Sequence, residues 1–515
     1  MSKIIDQYGN KIVADNSFTA GNKMSRELGK WQPWLKSADA EVLPEKELIE
    51  GRSHDLARNN GFAHGVVQSQ KDTVVGSSYR LSLRPETRVL KIDAEEANNW
   101  ASEVEAKFHL WADDPECWVD ASRKRTFAQI VRDSVSSDML SGEFMLSREW
   151  RPSPTGFNTC FQVVEPERIR TPSSLTNDER IRAGVRRDKY GSAVSYYVLN
   201  KHPREGVFFR LDDGFKKVDK YNAYNWLQFI HIFEAQRGGQ TRGYSKFSSI
   251  IKKMKMLDRQ EDVELEASIL AATYAMVVTS DFGANSIMEA MGQASDDNDP
   301  FTKLLAKKVG YKRDLNLNWD GTKIPHLFPG EQIEMLNSNH PNNNFDGFQN
   351  SMLRHMARGL GTSFEQLSGD FSKTTFSSAR ASMTEAWKYV QSKRKGIASK
   401  VATIMFRLWL DEAISRKIVA LPDGVKEYFP NRQALTRCDW IGAGKGSIDE
   451  QKSAKANAIK LKSGETTLQQ VAAEAGLDWQ ENIAQSAREF KERVDAFEKV
   501  GIEVTDEMKI KMMEL

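Results

Sequence analysis

The segment GAGKGS at residues 442–447 has the composition of a loop that could cradle a phosphate group. A Walker A loop needs the order G-x-x-x-x-G-K-[ST] after a strand, because backbone N–H groups and the lysine must surround the phosphates. Here Gly446 follows Lys445, and Asp439 stands where the first glycine belongs. The sequence therefore argues against nucleotide binding. It predicts a glycine turn before a helix that Ser447 caps, with Glu450 at the capping-box position.

Other residue types that carry chemistry are scattered along the chain. The eight histidines form no H-E-x-x-H motif and no cluster with Cys117, Cys160 or Cys438, so no metal site is expected. No G-x-S-x-G motif is present to support a serine hydrolase. His231 lies in an apolar strand signal, which is typical of a hydrogen-bonded core histidine. We therefore expect neither a cofactor nor catalytic activity.

One segment, TLQQVAAEAGLDWQENIAQ at 467–485, has the spacing of a helix-turn-helix. Its second helix carries Asp478 and Glu481 and has no Arg or Lys before Arg488. A recognition helix needs donors for phosphates and base edges, so packing between helices is the favoured interpretation. A DNA-binding regulator built on this segment is the alternative function.

An apolar stripe through residues 379–418 predicts a long helix. Its members recur at steps of three and four, and Arg394 takes one polar position among them. They are Met383, Trp387, Val390, Ile397, Val401, Ile404 and Leu408. At about 1.5 Å rise per residue this helix would be roughly 60 Å long, which suits an elongated subunit of an assembly.

A second long helix, of about 35 residues, is predicted within 240–280. Its first third is rich in lysine, which is usually a solvated face and gains a function only when many copies surround one axis. The apolar members of this helix are Phe247, Ile250, Ile251, Met254, Leu257 and Leu265, and the lysines are Lys246, Lys252, Lys253 and Lys255.

A polar loop, Gly361–Ser378, lies before the 379–418 stripe. It holds eight Ser or Thr in eighteen residues, and its only charged residues are Glu365, Asp370 and Lys373. The residues before it, 345–360, predict a helix of about four turns that ends at Gly359 and Gly361. A helix, a polar loop and a very long helix do not resemble a catalytic pocket.

Composition limits the remaining possibilities. A chain of 515 residues predicts two to four domains, and 40% hydrophobic with 28% charged residues is typical of a folded protein. The net charge of +2 excludes a chain that attracts nucleic acid as a whole. No run of eighteen apolar residues and no signal peptide are present, so we expect no membrane-spanning helix and no membrane partner. The three cysteines are odd in number and far apart, which fits a reducing cytoplasm.

The rest of the chain reads as a mixed α/β protein. Helical patterns lie within 52–75, 93–111 and 124–140, and short strand signals with turns between them fill 143–233. Residues 281–343 are irregular and predict a small inserted domain. Charged, alanine-rich helices follow residue 449.

Nine segments of the sequence, in this order, resemble lambda-type tailed-phage portal proteins. The segments are DLARNNGFA (55–63), VVGSSYRLSLRP (74–85), RKRTF (123–127), GQTRG (239–243), KMKMLD (253–258), PHLFPG (325–330), GLGTSFEQLS (359–368), SSARASMTEAW (377–387) and CDWIG (438–442). The resemblance covers roughly residues 50–500.

The resemblance implies an α+β portal fold, assembled as a ring, with a mixed α/β wing, a helical stem, a small α/β clip, a long kinked wing helix and a helical crown. The regions would be an N-terminal arm (1–50), wing (51–243), stem helix (244–280), clip (281–343), second stem helix (344–360), tunnel loop (361–378), long wing helix with its connection (379–437) and crown (438–515). Arg394 and Gly396 mark the expected kink.

The resemblance also implies a function. Portal proteins form rings, usually of twelve subunits, at one capsid vertex and pass double-stranded DNA inward during packaging and outward during ejection. The expected partners are further copies of the chain, DNA, the terminase large subunit, a head-completion adaptor, and the major capsid and scaffolding proteins. The expected location is the virion, reached from the host cytoplasm during assembly.

Three groups of residues would carry this function. The tunnel-loop candidates are Thr362, Ser363, Phe364, Phe371, Lys373, Thr374, Thr375 and Phe376. The basic stem candidates are Lys246, Lys252, Lys253 and Lys255. The candidates for docking at the clip are Phe301, Leu304, Leu305, Trp319 and Phe328.

Overall fold

A computed structural model describes most of the chain as two compact units. The described residues are 20, 26–205, 214–273, 277–280, 303, 318–319, 322–323, 331–334, 345–372, 374–446 and 449–500. One unit comprises residues 1–249 with 360–515, and the other is Ile250–Gly359.

Within the described residues, most helices lie at 38–140 and 345–499, and most strands lie between residues 143 and 334. The α-helices are α1 (Ala38–Val42), α2 (Lys46–Asn59), α3 (Gly61–Val74), α4 (Thr87–Leu90), α5 (Ala94–Ala112), α6 (Phe127–Leu140), α7 (Ile251–Thr273), α8 (Phe345–Leu360), α9 (Phe364–Ser368), α10 (Phe376–Lys393), α11 (Ser399–Ser415), α12 (Tyr428–Leu435), α13 (Glu450–Ser463), α14 (Leu468–Glu474) and α15 (Trp479–Lys499). Short 3₁₀ helices span Pro166–Arg168, Ser173–Leu175 and Lys246–Ser249.

The strands form small antiparallel sheets. They are β1 (Arg80–Leu83), β2 (Glu143–Trp150), β3 (Thr159–Val164), β4 (Ile181–Arg182), β5 (Val185–Arg187), β6 (Ala193–Leu199), β7 (Phe215–Asp219), β8 (Phe229–Phe233), β9 (Val277–Ser280), β10 (Asn318–Trp319), β11 (Thr322–Lys323), β12 (Glu331–Glu334) and β13 (Cys438–Ile441). Their orders are β3-β2-β8, β4-β5-β6-β7, β1-β13, β10-β11 and β12-β9.

The core of the first unit forms around α11, which packs against α5 and α6. Phe108 of α5 makes edge-to-face contacts with Phe127, Trp409 and Phe406, at centroid distances of 5.2, 5.3 and 5.4 Å. The pairing of Leu81 in β1 with Trp440 in β13 brings a late strand beside an early one. Residues far apart in sequence therefore surround one helix.

The long helix predicted over 379–418 is present, but its two halves differ in burial. In α10 the apolar positions form one buried or half-buried face, as expected. In α11 burial extends beyond the apolar stripe, because polar positions are also buried, among them Asp411 and Glu412. Their oxygens have partners: Asp411 accepts from the Tyr428 hydroxyl at 2.9 Å, and Glu412 accepts from the Thr159 N–H at 2.7 Å. Because those partners come from other elements, α11 is covered on more than one side.

A π-helical turn, Arg394–Ala398, joins α10 to α11 at the expected kink. The Arg394 guanidinium is buried and donates to the carbonyl oxygens of Thr73 at 2.9 Å, Val74 at 2.8 Å and Ala443 at 2.8 Å. Two of these carbonyls end α3, where a helix leaves acceptors without internal partners. The polar residue in the apolar stripe is thus a cap for another helix.

The second long helix is shorter than predicted. Its α-helical part, α7, begins at Ile251 and ends at Thr273, and residues 277–280 form β9, which pairs with β12. The run Val277-Val278-Thr279 is β-branched, which favours a strand over a helix. Of the apolar residues that the sequence places on one side of this helix, Met254 and Leu257 are buried, whereas Leu265 is 62% exposed.

Candidate functional site

The polar loop Gly361–Ser378 begins with the short helix α9 rather than with an open loop. Ser363 caps α9 by accepting from the Gln366 N–H at 3.2 Å, and the Gln366 side chain accepts from the Ser363 N–H. Leu367 is buried, and α9 lies against α3. The capping-box spacing of Ser363 and Gln366 is visible in the sequence and could have predicted this helix.

Gly361 fixes how the loop leaves α8. Its φ is +70°, the left-handed conformation that glycine adopts most easily, and a Cβ there would lie 2.4 Å from the Tyr389 ring of α10. The chain therefore passes directly over Tyr389 as it enters the loop.

Among the described residues of the loop, the exposed ones all lie from Gly369 onward, and they include Phe371, Ser372 and Thr375 as well as Ser377 and Ser378 at the start of α10. Gly369 ends α9 with a φ of +72°, and Phe371 is 58% exposed. Phe364 is half-buried, in contrast to Phe371. Lys373 and the side chain of Phe376 lie outside the described residues.

The hydroxyl groups of the loop bond largely to the loop itself. Thr375 caps α10 by accepting from the Ser378 N–H at 3.3 Å, and Ser372 donates to Asp370 at 2.6 Å. Ser368 donates to the Phe364 carbonyl at 2.8 Å, and Thr362 donates to Gln366 at 2.9 Å. Much of the serine and threonine content is therefore used for caps and turns.

The predicted stem lysines have different surroundings. Lys246 lies in the 3₁₀ helix before α7, with its Nζ 3.6 Å from Glu234 and only 15% of its side chain exposed, so its charge is partly neutralised. Lys252 and Lys255 are exposed, Lys253 is half-buried, and the Lys255 Nζ lies 3.1 Å from Asp258.

The structure describes only one of the predicted docking residues of 281–343, and only by its backbone. Phe301, Leu304, Leu305 and Phe328 lie outside the described residues. Trp319 is described only by its backbone, in β10.

A buried ionic cluster around Glu143 was not predicted from the sequence. The Glu143 carboxylate accepts from Arg242 at 2.5 Å, lies 3.0 Å from the Lys46 Nζ, and bonds to the His231 Nε2 at 2.9 Å. Burial alone would raise the pKa of Glu143, but the charges of Arg242 and Lys46 hold it well below its usual range. Burial lowers the pKa of His231. Its side chain is only 3% exposed and is bonded to Glu143, which confirms the hydrogen-bonded core histidine predicted in this strand.

Glu50 belongs to the same cluster through Lys46, whose Nζ donates to it at 2.5 Å. Burial raises the pKa of Glu50 to about 7. The cluster ties α2 to β2, β8 and the turn at 237–243, so we interpret it as structural. The residue types were visible in the sequence, but nothing in their spacing indicated that they meet.

The glycine turn after β13 and the helix-turn-helix segment both have structural roles. The glycine turn after β13 is followed by α13, but its N-cap is Asp449, which accepts from the Lys452 N–H at 3.0 Å, so the prediction of Ser447 as the cap is wrong. In the helix-turn-helix segment, Glu481 in the first turn of α15 pairs with Arg80 at 2.5 Å. This first turn is acidic and forms an ion pair with β1, so it does not support recognition of DNA bases.

Within the described ranges, no three His, Cys, Asp or Glu side chains lie close enough together to hold a metal ion. None of the described helices combines the length and apolar content of a bilayer-spanning segment.

Comparison with known proteins gives a consistent answer over most of the chain. Residues 24–394 match the sequence profile of the phage portal proteins of the lambda family. The portal protein of Escherichia phage N15 is 35% identical over 489 residues, which cover 92% of this chain and 89% of that protein. Portal protein B of Escherichia phage lambda is 35% identical over 477 residues, with the same two coverages of 92% and 89%.

Among solved structures, the chain is similar to a component of the neck of an empty GTA particle, at 12% identity. That similarity covers 82% of this chain and 93% of the other, with a TM-score of 0.44.

Proposed function

Because this chain belongs to the lambda family of phage portal proteins, we propose that its copies form a ring, usually of twelve subunits, at one capsid vertex. Double-stranded DNA would pass through this ring during packaging and ejection. The observation that carries the proposal is 35% identity to portal protein B of phage lambda over 92% of the chain. The protein then acts in the virion as a channel rather than as an enzyme, after assembly in the host cytoplasm.

The exposed residues of the loop are proposed to form the narrowest part of this channel. DNA carries about one negative charge per 1.7 Å of its axis, and each phosphate that a Lys or Arg neutralises strengthens binding. A channel that binds DNA tightly cannot let it move, so the constriction should carry little charge. The loop satisfies this condition, because Glu365, Asp370 and Lys373 are its only charged residues.

The internal hydrogen bonds of the loop support the same proposal. Hydroxyls that already bond to the loop backbone, such as those of Ser368 and Thr375, are less available to phosphate oxygens. Phe371 is exposed at the tip and would face either DNA or a neighbouring loop.

Two further roles complete the proposal. Lys252 and Lys255, which are exposed, would attract DNA along the stem without gripping it. Residues 281–343 would dock the terminase large subunit and then the head-completion adaptor, while the outside of the ring contacts major capsid and scaffolding proteins. Replacing Leu304 and Leu305 by Ser should then abolish terminase binding while rings still form, which pull-down assays on purified rings can measure.

Ring formation is tested by negative-stain microscopy and light scattering of the purified chain. We expect closed rings with an axial hole, built through a contact between two different surfaces of adjacent copies. Monomers or dimers alone, at high protein concentration and in several salts, would overturn the proposal.

The loop is tested by adding charge where the fold tolerates it. Thr375 should be kept, because it caps α10. Ser372→Arg with Thr374→Arg adds two positive charges per subunit, and Ser372→Gln with Thr374→Gln is the neutral control of similar size. We expect packaging by the Arg variant to slow as salt is lowered, because phosphate binding strengthens. Equal packaging rates for both variants at every salt concentration would exclude the loop as the constriction.

A further inference from the structure

The short segment Trp31–Leu35 carries the most conspicuous unburied apolar side chains of the described chain. Trp31 is 71% exposed, Trp34 is 85% exposed and Leu35 is 102% exposed. Single exposed apolar residues are ordinary, but three within five residues form a patch of the kind that marks protein contacts. Tryptophan is also the residue type most enriched among those that dominate binding energy. We call residues 26–36 the aromatic arm.

The C-terminal end of the aromatic arm is anchored to its own subunit by hydrogen bonds. The Lys36 carbonyl accepts from the Arg237 guanidinium at 2.9 Å, and Asp39 accepts from the Thr241 N–H at 2.8 Å. Ser37 caps α1, accepting from the Ala40 N–H at 3.3 Å. Leu35 is therefore one residue away from a fixed point. The arm is positioned in advance, which lowers the entropy lost when it binds.

This anchoring favours burial against another molecule over burial in the same subunit. Because Lys36 is fixed, the chain between it and Trp34 is too short for Leu35 and Trp34 to reach far across the surface of their own subunit. A ring needs a projecting surface on one copy and a different, receiving surface on the next. The arm has the properties of the projecting surface.

The charges of the chain indicate where the receiving surface lies. The arm is basic, with Arg26, Lys30 and Lys36 against Glu27. The second half of α7 is the opposite: it carries Glu261, Asp262, Glu264 and Glu266, and no Lys or Arg lies between residues 260 and 273. Three apolar side chains accompany these acids, with Val263 54% exposed, Leu265 62% exposed and Ile269 57% exposed. The basic, aromatic arm and the acidic, aliphatic half of α7 are therefore complementary in charge, and both expose apolar side chains.

We propose that the aromatic arm of one copy docks on the acidic half of α7 in a second copy, with its tryptophans against Val263, Leu265 and Ile269. The inference rests on the proposed ring and names one of the contacts that close it. Charge would guide the arm to α7, and apolar burial would hold it there.

Site-specific photo-crosslinking tests which surfaces meet. p-Benzoylphenylalanine replaces Trp34 in the full chain, and isotopically labelled and unlabelled subunits are mixed before assembly. We expect crosslinks that join labelled to unlabelled chains within residues 261–270. The same crosslinker at Trp150, which is 53% exposed on the sheet of the first unit, is the control and should not label that segment. Crosslinks within one copy, or to any other part of the neighbour, overturn the inference.

Charge exchange gives an independent test that does not depend on crosslinking. Lys30→Glu and Glu266→Lys should each raise the protein concentration needed for half-assembly by roughly tenfold, and the double variant should recover most of that loss. Lys91→Glu, at another exposed lysine, is the control for net charge. Failure of the double variant to recover assembly, or an equal effect of Lys91→Glu, contradicts the inference. If wild-type rings form in either case, the ring proposal stands without this contact.

Discussion

The two halves of the long helix, α10 and α11, are adjacent in sequence and opposite in environment. The side chains of α11 are enclosed by other elements of the same unit. Phe406, Trp409 and Asp411 are among the buried ones. In α10 one face is half-buried, and Arg380, Lys388 and Gln391 on the other face are exposed. The comparison teaches that a continuous apolar stripe does not imply a uniform role. We infer that α11 stabilises the subunit, while the outer face of α10 and the loop before it are left for function.

The sharpest test of this comparison removes one apolar side chain from each half. Phe406→Ala should lower the free energy of unfolding by about 3–5 kcal/mol, because Phe406 is fully buried against Phe108. Met383→Ala, on half-buried α10, should lower it by less than about 1.5 kcal/mol. Denaturant unfolding of the unassembled subunit, followed by tryptophan fluorescence, measures both. Similar losses would show that the two halves are equally important to the subunit.

The second test compares two lysines of α10. Lys393 points inward, and its Nζ lies 3.1 Å from Asp138 and 2.9 Å from Glu234, whereas Lys388 is exposed. Lys393→Ala should destabilise the subunit by about 2 kcal/mol, because it leaves the buried Asp138 without its charged donor. Lys388→Ala should change stability by less than about 0.5 kcal/mol. A reversed order in thermal unfolding would contradict the assignment of the inner and outer faces.

The Lys393 effect should also depend on pH. The hydrogen bond from Lys393 lowers the pKa of Glu234 below its ordinary 4.5. A carboxyl with a lowered native pKa stabilises the fold above its unfolded pKa and loses that contribution as pH falls through the native pKa. The difference in melting temperature between wild type and Lys393→Ala should therefore be larger at about pH 7 than at about pH 4. A difference that grows on acidification would contradict this reasoning.

The smallest expected effects concern two glycines near α10: Gly361, which packs against Tyr389 of α10, and Gly396, in the π turn after α10. Gly361→Ala places a Cβ 2.4 Å from the Tyr389 ring at a φ of +70°, and should destabilise the subunit by about 1–2 kcal/mol. Gly396→Ala meets nothing within 4 Å and should stabilise it by about 0.4–1 kcal/mol, because alanine has less freedom in the unfolded chain. Thermal unfolding should show shifts of opposite sign. Equal shifts would mean that the close approach at Gly361 is relieved by movement of Tyr389.

Much of the fold could be predicted from local patterns. The helices α6, α8 and α10 and the strand β8 follow from periodicity and caps, because these signals lie within a few residues of each other. Periodicity alone does not locate the end of α7, because the apolar pattern continues through Val277 to Thr279. Their β-branched side chains favour a strand, and the pairing with β12 fixes it. Likewise, the enclosure of α11 depends on Phe108 and Trp440, which no local pattern connects to it.

For the polar loop, the sequence indicates the composition but not the internal structure. The loop was recognised by its few charges and many hydroxyls, but α9 was missed although Ser363 and Gln366 have capping-box spacing. The cluster of Glu143, Arg242 and Lys46 could not be predicted, because its members come from three separate elements. Sequence indicates which residues are available for a polar cluster, and only the fold decides which of them meet.

The π turn at Arg394–Ala398 adds one residue to the regular α-helical repeat of the long helix. One residue beyond the α-helical repeat rotates everything after it by about 100° about the helix axis. Because Arg394 is fixed to the end of α3, this rotation is locked rather than free. Deleting one residue from this turn would swing α10 and the polar loop by that angle relative to α11 while leaving every other residue unchanged. Related chains could therefore re-aim the loop by gaining or losing a single codon.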